Sequence, residues 1–237
     1  MSAGETRTVR AAAADRHMAP SKAALTRAAI LDAGSRFLQD RPFRDMTVGN
    51  LMASTEYSRP TFYLYFNDLH GLMECLLDEV KGGIVEGARA WLSNEGDPVG
   101  ELTASLAALV DVGHAHGTIL KAVADAAPYD ERLEHVWETF VASFDQVVSA
   151  RIALDQEIGI TPEFDPLPVA RALNRMDAGV LIHAFGSTEK ADKGEVLASL
   201  QNIWISTLYP FDAGAAIGLR STQKREQTEE AAKDSQA

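Results

Sequence analysis

The sequence has one cysteine and no long apolar stretch, and both shortages narrow the class of protein. Cys75 cannot form a disulfide within a single chain, a composition typical of the reducing cytoplasm. No segment reaches the roughly 18 consecutive apolar residues that a membrane-spanning helix needs. Residues 1–20 contain arginines but lack the apolar core, about 7–15 residues long, of a secretory signal. We therefore expect a cytoplasmic protein that does not associate with membranes.

Motifs that carry catalysis or bind metals are also missing. His114 and His116 are two residues apart, so on a helix they point in different directions and cannot share a metal as an i, i+4 pair does. The sequence has neither a phosphate-cradling glycine loop nor a nucleophile elbow. The sequence therefore predicts no catalytic residue, no metal site and no cofactor. Three further histidines stand alone: His70, His135 and His183.

Composition and charge indicate a globular protein whose two ends differ electrically. Hydrophobic residues make up 46% of the 237-residue chain, enough for a substantial core. Residues 1–70 contain nine Lys and Arg against seven Asp and Glu, a net charge of +2. Because the whole chain has a net charge of −12, residues 71–237 have a net charge of −14. A mildly basic head can face phosphates while an acidic body stays away from them. Such unevenness also arises by chance, and both interpretations remain open.

Apolar residues recur with helical spacing along most of the chain, and no alternating strand pattern appears. The sequence therefore predicts an all-α fold. Prolines, glycines and N-cap residues divide the pattern into nine helices. The predicted helices cover residues 21–39, 47–53, 58–66, 68–96, 98–113, 114–127, 130–158, 167–185 and 191–208. We interpret the chain as a disordered arm over 1–20, a three-helix head over 21–67, a helical body over 68–210 and a disordered tail over 211–237.

The most informative motif is Ser58–Phe66, with the sequence SRPTFYLYF. Its first residue is a typical helix N-cap, and Pro60 follows where the first turn needs no backbone N–H. Phe62 and Phe66 are four residues apart, so on a helix they share one buried face. Another short helix, capped by Thr47, comes just before it. Two short helices joined by a tight turn predict a helix-turn-helix, in which the second helix reads the DNA groove.

This region resembles the N-terminal signature of the TetR family of transcriptional regulators. The chain departs from the signature where Thr55–Glu56 replaces a small Ala-Gly turn pair, where Met52 replaces an alanine and where Leu69 replaces a lysine. The first two departures suggest a slightly different turn, and the last removes an expected phosphate contact. None of them moves a helix. Eight positions agree in residue type and spacing: Thr47, Val48, Leu51, Ser58, Phe62, Tyr63, Tyr65 and Phe66.

The resemblance implies that the helix-turn-helix contacts DNA. Arg59 is at the N-terminal end of the second helix, where base edges are reached, so we expect it to contact a guanine. We expect Tyr63 and Tyr65 to contact phosphates, whereas Phe62 and Phe66 form a small hydrophobic core. The expected DNA-binding residues are Thr47, Ser58, Arg59, Pro60, Thr61, Tyr63 and Tyr65.

The body resembles one subgroup of the same family, in which a tunnel between the helices binds a small molecule. Polar Asn174 and Asp177 are three residues apart on an otherwise apolar helix, and apolar walls with a few polar groups are typical of such a pocket. The subgroup has asparagine at position 177. A buried carboxylate favours a ligand with a donor or a positive charge, or else is protonated. Plain core packing is the alternative for the aromatic residues. The expected ligand-binding residues are Trp137, Phe140, Phe144, Asn174, Asp177 and Trp204.

Together these patterns predict a ligand-responsive transcriptional regulator. The head is then a DNA-binding domain for a double-stranded, palindromic operator, and the body is a ligand-binding and dimerisation domain. We expect a homodimeric repressor that a small, mostly apolar inducer releases from DNA. The last two helices are the expected dimer faces, through Leu173, Val180, Ala184, Leu197, Leu200, Ile203 and Ile205. The alternative is a helical small-molecule carrier or enzyme whose helix-turn-helix-like head is structural.

Overall fold

The computed structural model describes residues 21–93 and 96–210, and all regular structure in these ranges is helical. The predicted all-α fold is therefore confirmed. The arm predicted over 1–20 and the tail predicted over 211–237 lie outside the described residues. No helix in the described part has the length and hydrophobicity to span a bilayer. The helices are α1 (Lys22–Asp40), α2 (Val48–Ala53), α3 (Arg59–Phe62), α4 (Leu69–Ser93), α5 (Pro98–Ala126), α6 (Glu131–Ala142), α7 (Asp145–Glu157), α8 (Pro166–Phe185) and α9 (Lys193–Leu208).

The first three helices form the predicted helix-turn-helix head. Thr47 caps α2 in a capping box, since its hydroxyl accepts from the Asn50 backbone N–H at 3.1 Å and its own N–H donates to the Asn50 side chain at 2.8 Å. Phe62 and Phe66 are buried, with exposed fractions of 0% and 4%. They belong to the same core as Leu51 in α2, so α2 and α3 pack together as the pattern predicts.

The predicted DNA-reading helix is shorter than the segment 58–66 expected from the sequence. Regular α-helix covers only Arg59–Phe62, and the chain then continues in turns closed by Phe62, whose carbonyl accepts from Phe66 at 3.0 Å. Ser58 occupies the N-cap position but caps no backbone N–H; its hydroxyl lies 3.0 Å from the Thr61 hydroxyl instead. Aromatic and β-branched residues have low helix propensity, and here the core position of the two phenylalanines decides the backbone path.

Helix α5 is continuous where two helices were predicted, over 98–113 and 114–127. Gly113 and Gly117 lie inside it and allow a close approach of α8. A Cβ atom at Gly113 would lie 2.6 Å from Leu181 Cδ2, and one at Gly117 would lie 2.5 Å from the carbonyl oxygen of Phe185. The two glycines therefore mark a close helix contact, and the prediction that a helix ends at Gly113 was wrong.

The opposite error occurs at 130–158, where the single predicted helix is two. Helix α6 ends at Ala142 and α7 begins at Asp145. Between them the Ser143 hydroxyl donates to the Phe140 carbonyl at 2.7 Å, competing with the helical hydrogen-bond ladder. Back-bonding of this kind bends or ends helices. The apolar spacing stays in phase across the break, and so the pattern alone does not reveal it.

Helix α5 is the centre of the body. It packs against α4, α8 and α9, while α7 packs on α8. Helix α1 contacts both α4 and α5, so the head rests directly on the body. Phe37 and Leu72 in the head-proximal part and Trp204 at the far end belong to one connected hydrophobic core. This arrangement leaves room between α4, α5 and α8 for the cavity described below.

The α5–α8 contact gives a first testable prediction, using Gly117→Ala and the matched control Gly82→Ala. A Cβ at Gly82 in α4 has open space, so the control should be stabilised by about 0.5–1 kcal/mol through helix propensity. Gly117→Ala should instead lower the free energy of unfolding by about 1–3 kcal/mol, because the added methyl group clashes with the backbone of Phe185. Urea denaturation measures both, and equal stabilisation by the two alanines would contradict the close contact.

Candidate DNA-binding face and ligand cavity

The structure places the seven predicted DNA-binding residues on one continuous stretch of α2, α3 and the following turn. Thr61 and Tyr65 are half-buried, and Tyr65 packs against the core. The Tyr63 side chain is 60% exposed, with its ring edge-on to Phe62 at a centroid distance of 5.3 Å. The exposed members are Thr47, Ser58, Arg59, Pro60 and Tyr63. Hydroxyl and guanidinium donors are therefore available on this surface for phosphates and base edges.

Arg59 lies across α2. A Cβ atom at Gly49 would come within 2.8 Å of the Arg59 guanidinium carbon, so the glycine leaves the space that this side chain occupies. The guanidinium forms no hydrogen bond or ion pair with another described residue. Its five N–H donors are thus free for a base or phosphate, and only the side chain has to turn to reach them.

Arg27 was not singled out from the sequence, yet it lies next to the DNA-reading turn. Its guanidinium carbon is 5.5 Å from the centroid of the Phe66 ring, a cation–π geometry. The sequence pattern does not single it out, because the contact depends on how α1 packs against the turn that follows α3. We add it to the candidate cations of the head.

A cluster of charged side chains ties the beginning of α4 to the beginning of α6. Arg132 donates to Asp68 at 2.7 Å and to Glu74 at 2.9 and 3.1 Å. His70 Nε2 lies 2.7 Å from Asp130 Oδ2. The Gly71 backbone N–H, followed by Arg132, keeps the pKa of Asp68 below its ordinary value. This α4–α6 clasp fixes the helix that directly follows the DNA-reading turn.

A cavity of about 100 Å³ lies inside the body, between α4, α5, α6, α7, α8 and α9. Its walls are apolar or aromatic except for Ser105, Asn174 and Asp177. Val85 and Val147 belong to its lining and are 47% and 45% exposed, so the cavity opens to solvent between α4 and α7. A mostly apolar lining with a few polar groups is a feature of small-molecule sites.

Five of the six predicted ligand-binding residues line this cavity: Phe140, Phe144, Asn174, Asp177 and Trp204. Trp137 does not. Its ring stacks on the Phe140 ring at a centroid distance of 5.7 Å, one helical turn away and outside the lining. Residues 137 and 140 are three apart on α6, and only one of them reaches the cavity. Trp137 therefore supports a wall of the cavity and is not part of its surface.

Asp177 is the only ionisable side chain in the described lining. Its Oδ1 accepts from the Trp204 indole N–H at 3.0 Å. Burial raises the pKa of Asp177 to about 7, and the indole hydrogen bond offsets only part of that rise. Near neutral pH the carboxyl is thus divided between its protonated and ionised forms.

Asn174 is oriented by a carboxylate behind it. Its side-chain N–H donates to Asp145 Oδ1 at 2.9 Å, which directs the amide nitrogen away from the cavity and leaves the amide oxygen without a hydrogen bond among the described residues. Arg175 Nη1 at 3.2 Å and Arg171 Nε at 3.5 Å balance the charge of Asp145. The cavity side of Asn174 therefore offers an acceptor.

Trp91, on α4, was missed by the sequence analysis and forms much of the cavity wall. Its indole N–H donates to the Tyr209 hydroxyl at 3.0 Å, and that hydroxyl donates to Asp155 at 2.6 Å. Burial, together with the charge of Asp155, raises the pKa of Tyr209. Arg151 donates to Asp155 at 2.9 Å and to the Trp91 carbonyl, and it lies 5.3 Å from the Trp91 ring. This network fixes the far end of α4.

Comparison with known proteins agrees with this geometry. The family model described as the C-terminal domain of the transcriptional regulator EthR matches residues 102–210. The HTH-type transcriptional regulator EthR of Mycobacterium tuberculosis is 27% identical over 185 residues, which cover 76% of this chain and 86% of EthR. The chain is therefore similar to EthR in sequence, and the helix-turn-helix and helical body agree with the resemblance to the TetR family of transcriptional regulators.

Solved structures show the same fold. The regulatory protein TetR from Rhodobacter sphaeroides superposes with a TM-score of 0.61 at 14% identity, covering 76% of this chain and 97% of that one. SmeT, in its complex with triclosan, superposes with a TM-score of 0.66 at 18% identity, covering 77% and 90% of the two chains. The TetR-type arrangement therefore extends across head and body alike.

Asp177 makes the free energy of unfolding of this chain depend on pH. In the folded chain the pKa of Asp177 is raised from 3.8 to about 7. The contribution of its protonated carboxyl to the free energy of unfolding is therefore fully present below pH 4 and is lost as pH rises through 7. Between pH 4 and pH 8, Asp177→Asn should gain on the order of 4 kcal/mol in unfolding free energy relative to the unaltered protein. Urea denaturation across this range measures the difference. The control Asp78→Asn, an exposed site on α4, should show no such trend; a flat difference for Asp177→Asn would contradict the burial argument.

Proposed function

We propose that this TetR-family chain is a cytoplasmic, homodimeric repressor without catalytic activity. It binds a palindromic operator through α2, α3 and the following turn, and it leaves the operator when a small, mostly apolar molecule enters the body. The observation that carries the proposal is the apolar cavity against α4, the helix that begins three residues after the DNA-reading turn.

The head supplies the DNA contacts. Arg59 and Tyr63 are exposed on the DNA-reading segment, and their polar groups have no hydrogen-bond partner among the described residues. Because two heads of a dimer enter successive major grooves, the half-sites should be about 34 Å apart. Arg27 and Arg59 then belong to a mildly basic surface on an otherwise acidic protein, which confines DNA binding to the head.

Helix α4 connects the cavity to the head. Trp91 and Ile84 line the cavity, whereas Asp68, just before the helix, and Glu74 in its second turn belong to the α4–α6 clasp. Glu74 and Ile84 are ten residues apart, roughly 15 Å along one helix. A ligand that prefers a displaced α4 therefore shifts the spacing of the two heads, because only differential affinity moves a two-state equilibrium.

The dimer surface is smaller than the sequence pattern predicts. Leu173, Ala184 and Leu200 are buried in the chain's own core, so they are not available to a partner and their assignment was wrong. The remaining candidates on α8 and α9 are Val180, Leu197, Ile203 and Ile205, of which Ile203 is 39% exposed. Helix pairs from two chains then form a four-helix interface.

A catalytic role has no support in the cavity. Asp177 is its one ionisable group among the described residues, and acid–base hydrolysis generally uses a positioned pair. Across residues 21–93 and 96–210, no three His, Cys, Asp or Glu side chains are grouped so that they could hold a metal ion. We therefore favour the regulator over the enzyme alternative, and DNA binding distinguishes the regulator from the carrier.

The proposal is tested with Arg59→Ala on an operator selected from random duplex DNA by the purified protein. Loss of a bidentate guanine contact should cost about 1–3 kcal/mol in operator binding and relax the preference at one base position. Arg89→Ala, which removes the same charge from an exposed site on the body, is the matched control and should bind normally. Affinities on single-base operator variants provide the measurement.

Equal weakening on every variant would show that Arg59 contacts only phosphate. Negligible binding of the unaltered protein to duplex DNA at every salt concentration would reject the repressor and favour the carrier alternative.

A further inference from the structure

Three carboxylates are buried in the described part of the chain, and two of them have a cationic partner. Asp145, 3% exposed, is balanced by Arg171 and Arg175. Asp155, 1% exposed, pairs with Arg151 at 2.9 Å. Buried carboxylates are generally paired in this way, since an isolated charge in an apolar interior is costly.

Asp177 is the exception. It is 7% exposed, and no Lys, Arg or His is found in the described lining of the cavity it borders. Its Oδ1 accepts from the Trp204 indole, which is a neutral donor, and its Oδ2 makes no hydrogen bond with a described residue. The one buried carboxyl without a cation is thus the one that faces an open space.

The surroundings of Asp177 suit a positive charge. Trp91, Trp204, Phe140 and Phe144 present aromatic rings to the cavity, and aromatic faces attract cations. The amide nitrogen of Asn174 is occupied by Asp145, so the amide oxygen remains as a second acceptor on the same helix. The site therefore combines a carboxylate, a carbonyl acceptor and aromatic walls, and it offers no cationic group to an anion.

We propose that the ligand of this cavity is a compact apolar amine, bound as its ammonium form with N–H groups donating to Asp177 Oδ2 and Asn174 Oδ1. This inference rests on the proposed function, in which the cavity holds the inducer. The ammonium supplies the cation that the chain itself supplies to Asp145 and Asp155. A cavity of about 100 Å³ suits one small ring, and a longer tail can leave between Val85 and Val147.

The test uses three probes of one shape and different charge: benzylamine, benzyl alcohol and benzoate. Binding is measured by calorimetry on the full-length protein, on Asp177→Asn and on the control Asp78→Asn. Benzylamine should bind at least tenfold more tightly than benzyl alcohol, and benzoate should not bind. Asp177→Asn should abolish the preference for the amine while keeping the affinity for the alcohol, and Asp78→Asn should behave like the unaltered protein.

Equal affinity for amine and alcohol, a preference that survives Asp177→Asn, or no binding of benzylamine and its longer homologue 4-phenylbutylamine would each overturn the proposal. If Asp177→Asn does not fold, the amine-to-alcohol ratio on the unaltered protein decides alone. Operator release is assayed separately with the same probes. If benzyl alcohol releases the operator and the amine is not preferred, the proposed repressor function is supported and the amine ligand class is rejected. If the amine binds but does not release the operator, the amine ligand class is supported and ligand-induced release is rejected.

Discussion

The continuity of α4 is the constraint on which the rest of the structure depends. This 25-residue helix follows the predicted DNA-reading turn, lines the cavity in its second half and ends two residues after Trp91. Its beginning is held by Arg132 and Asp130 in the α4–α6 clasp, and the Trp91 carbonyl near its end is held by Arg151. A helix fixed at both ends and in contact with a cavity between them transmits a displacement along its length, because its backbone hydrogen bonds resist bending.

Packing around α5 creates the space that this helix borders. The glycines at 113 and 117 draw α8 close to α5, and the same helix carries Asn174 and Asp177 one to three turns away. Bulky aromatic side chains then meet at the other end, where Trp91 and Trp204 are edge-to-face at 5.8 Å. Close contact at one place and large rings at another leave a gap that the chain does not fill. The unpaired carboxyl of Asp177 lies on that gap.

The sequence predicted the chemistry of the site better than its geometry. Residue types and spacing identified the helix-turn-helix, the buried pair Phe62 and Phe66, and five of the twenty residues that line the cavity, because helical periodicity reports which face is apolar. It failed at Trp137 and Trp91, since periodicity does not say which apolar face adjoins an empty space. Trp91 continues the α4 stripe seven residues after Ile84, so extending that stripe would have found it.

Helix boundaries failed for a related reason. Gly113 was expected to end a helix, but it lies within α5 where α8 packs closely. Ser143 was expected to continue a helix, but its hydroxyl bonds to the Phe140 carbonyl where α6 ends. A glycine indicates a helix end in isolation, but it indicates close contact when another helix lies against it. The assignment of Leu173 and Leu200 to the dimer face failed similarly, because a single chain's core and a dimer interface have the same apolar signature.

The central claim, that occupancy of the cavity controls DNA affinity, is tested most directly by filling the cavity with the protein's own side chain. Ala178 lines the cavity and Ala150 is exposed on α7, so Ala178→Phe and Ala150→Phe add the same ring to different environments. Operator affinity of the folded variants is measured by fluorescence anisotropy without any ligand. The account predicts that Ala178→Phe binds at least about tenfold more weakly than Ala150→Phe, a coupling of roughly 1.4 kcal/mol or more. Equal operator affinity in two folded, dimeric variants would contradict it.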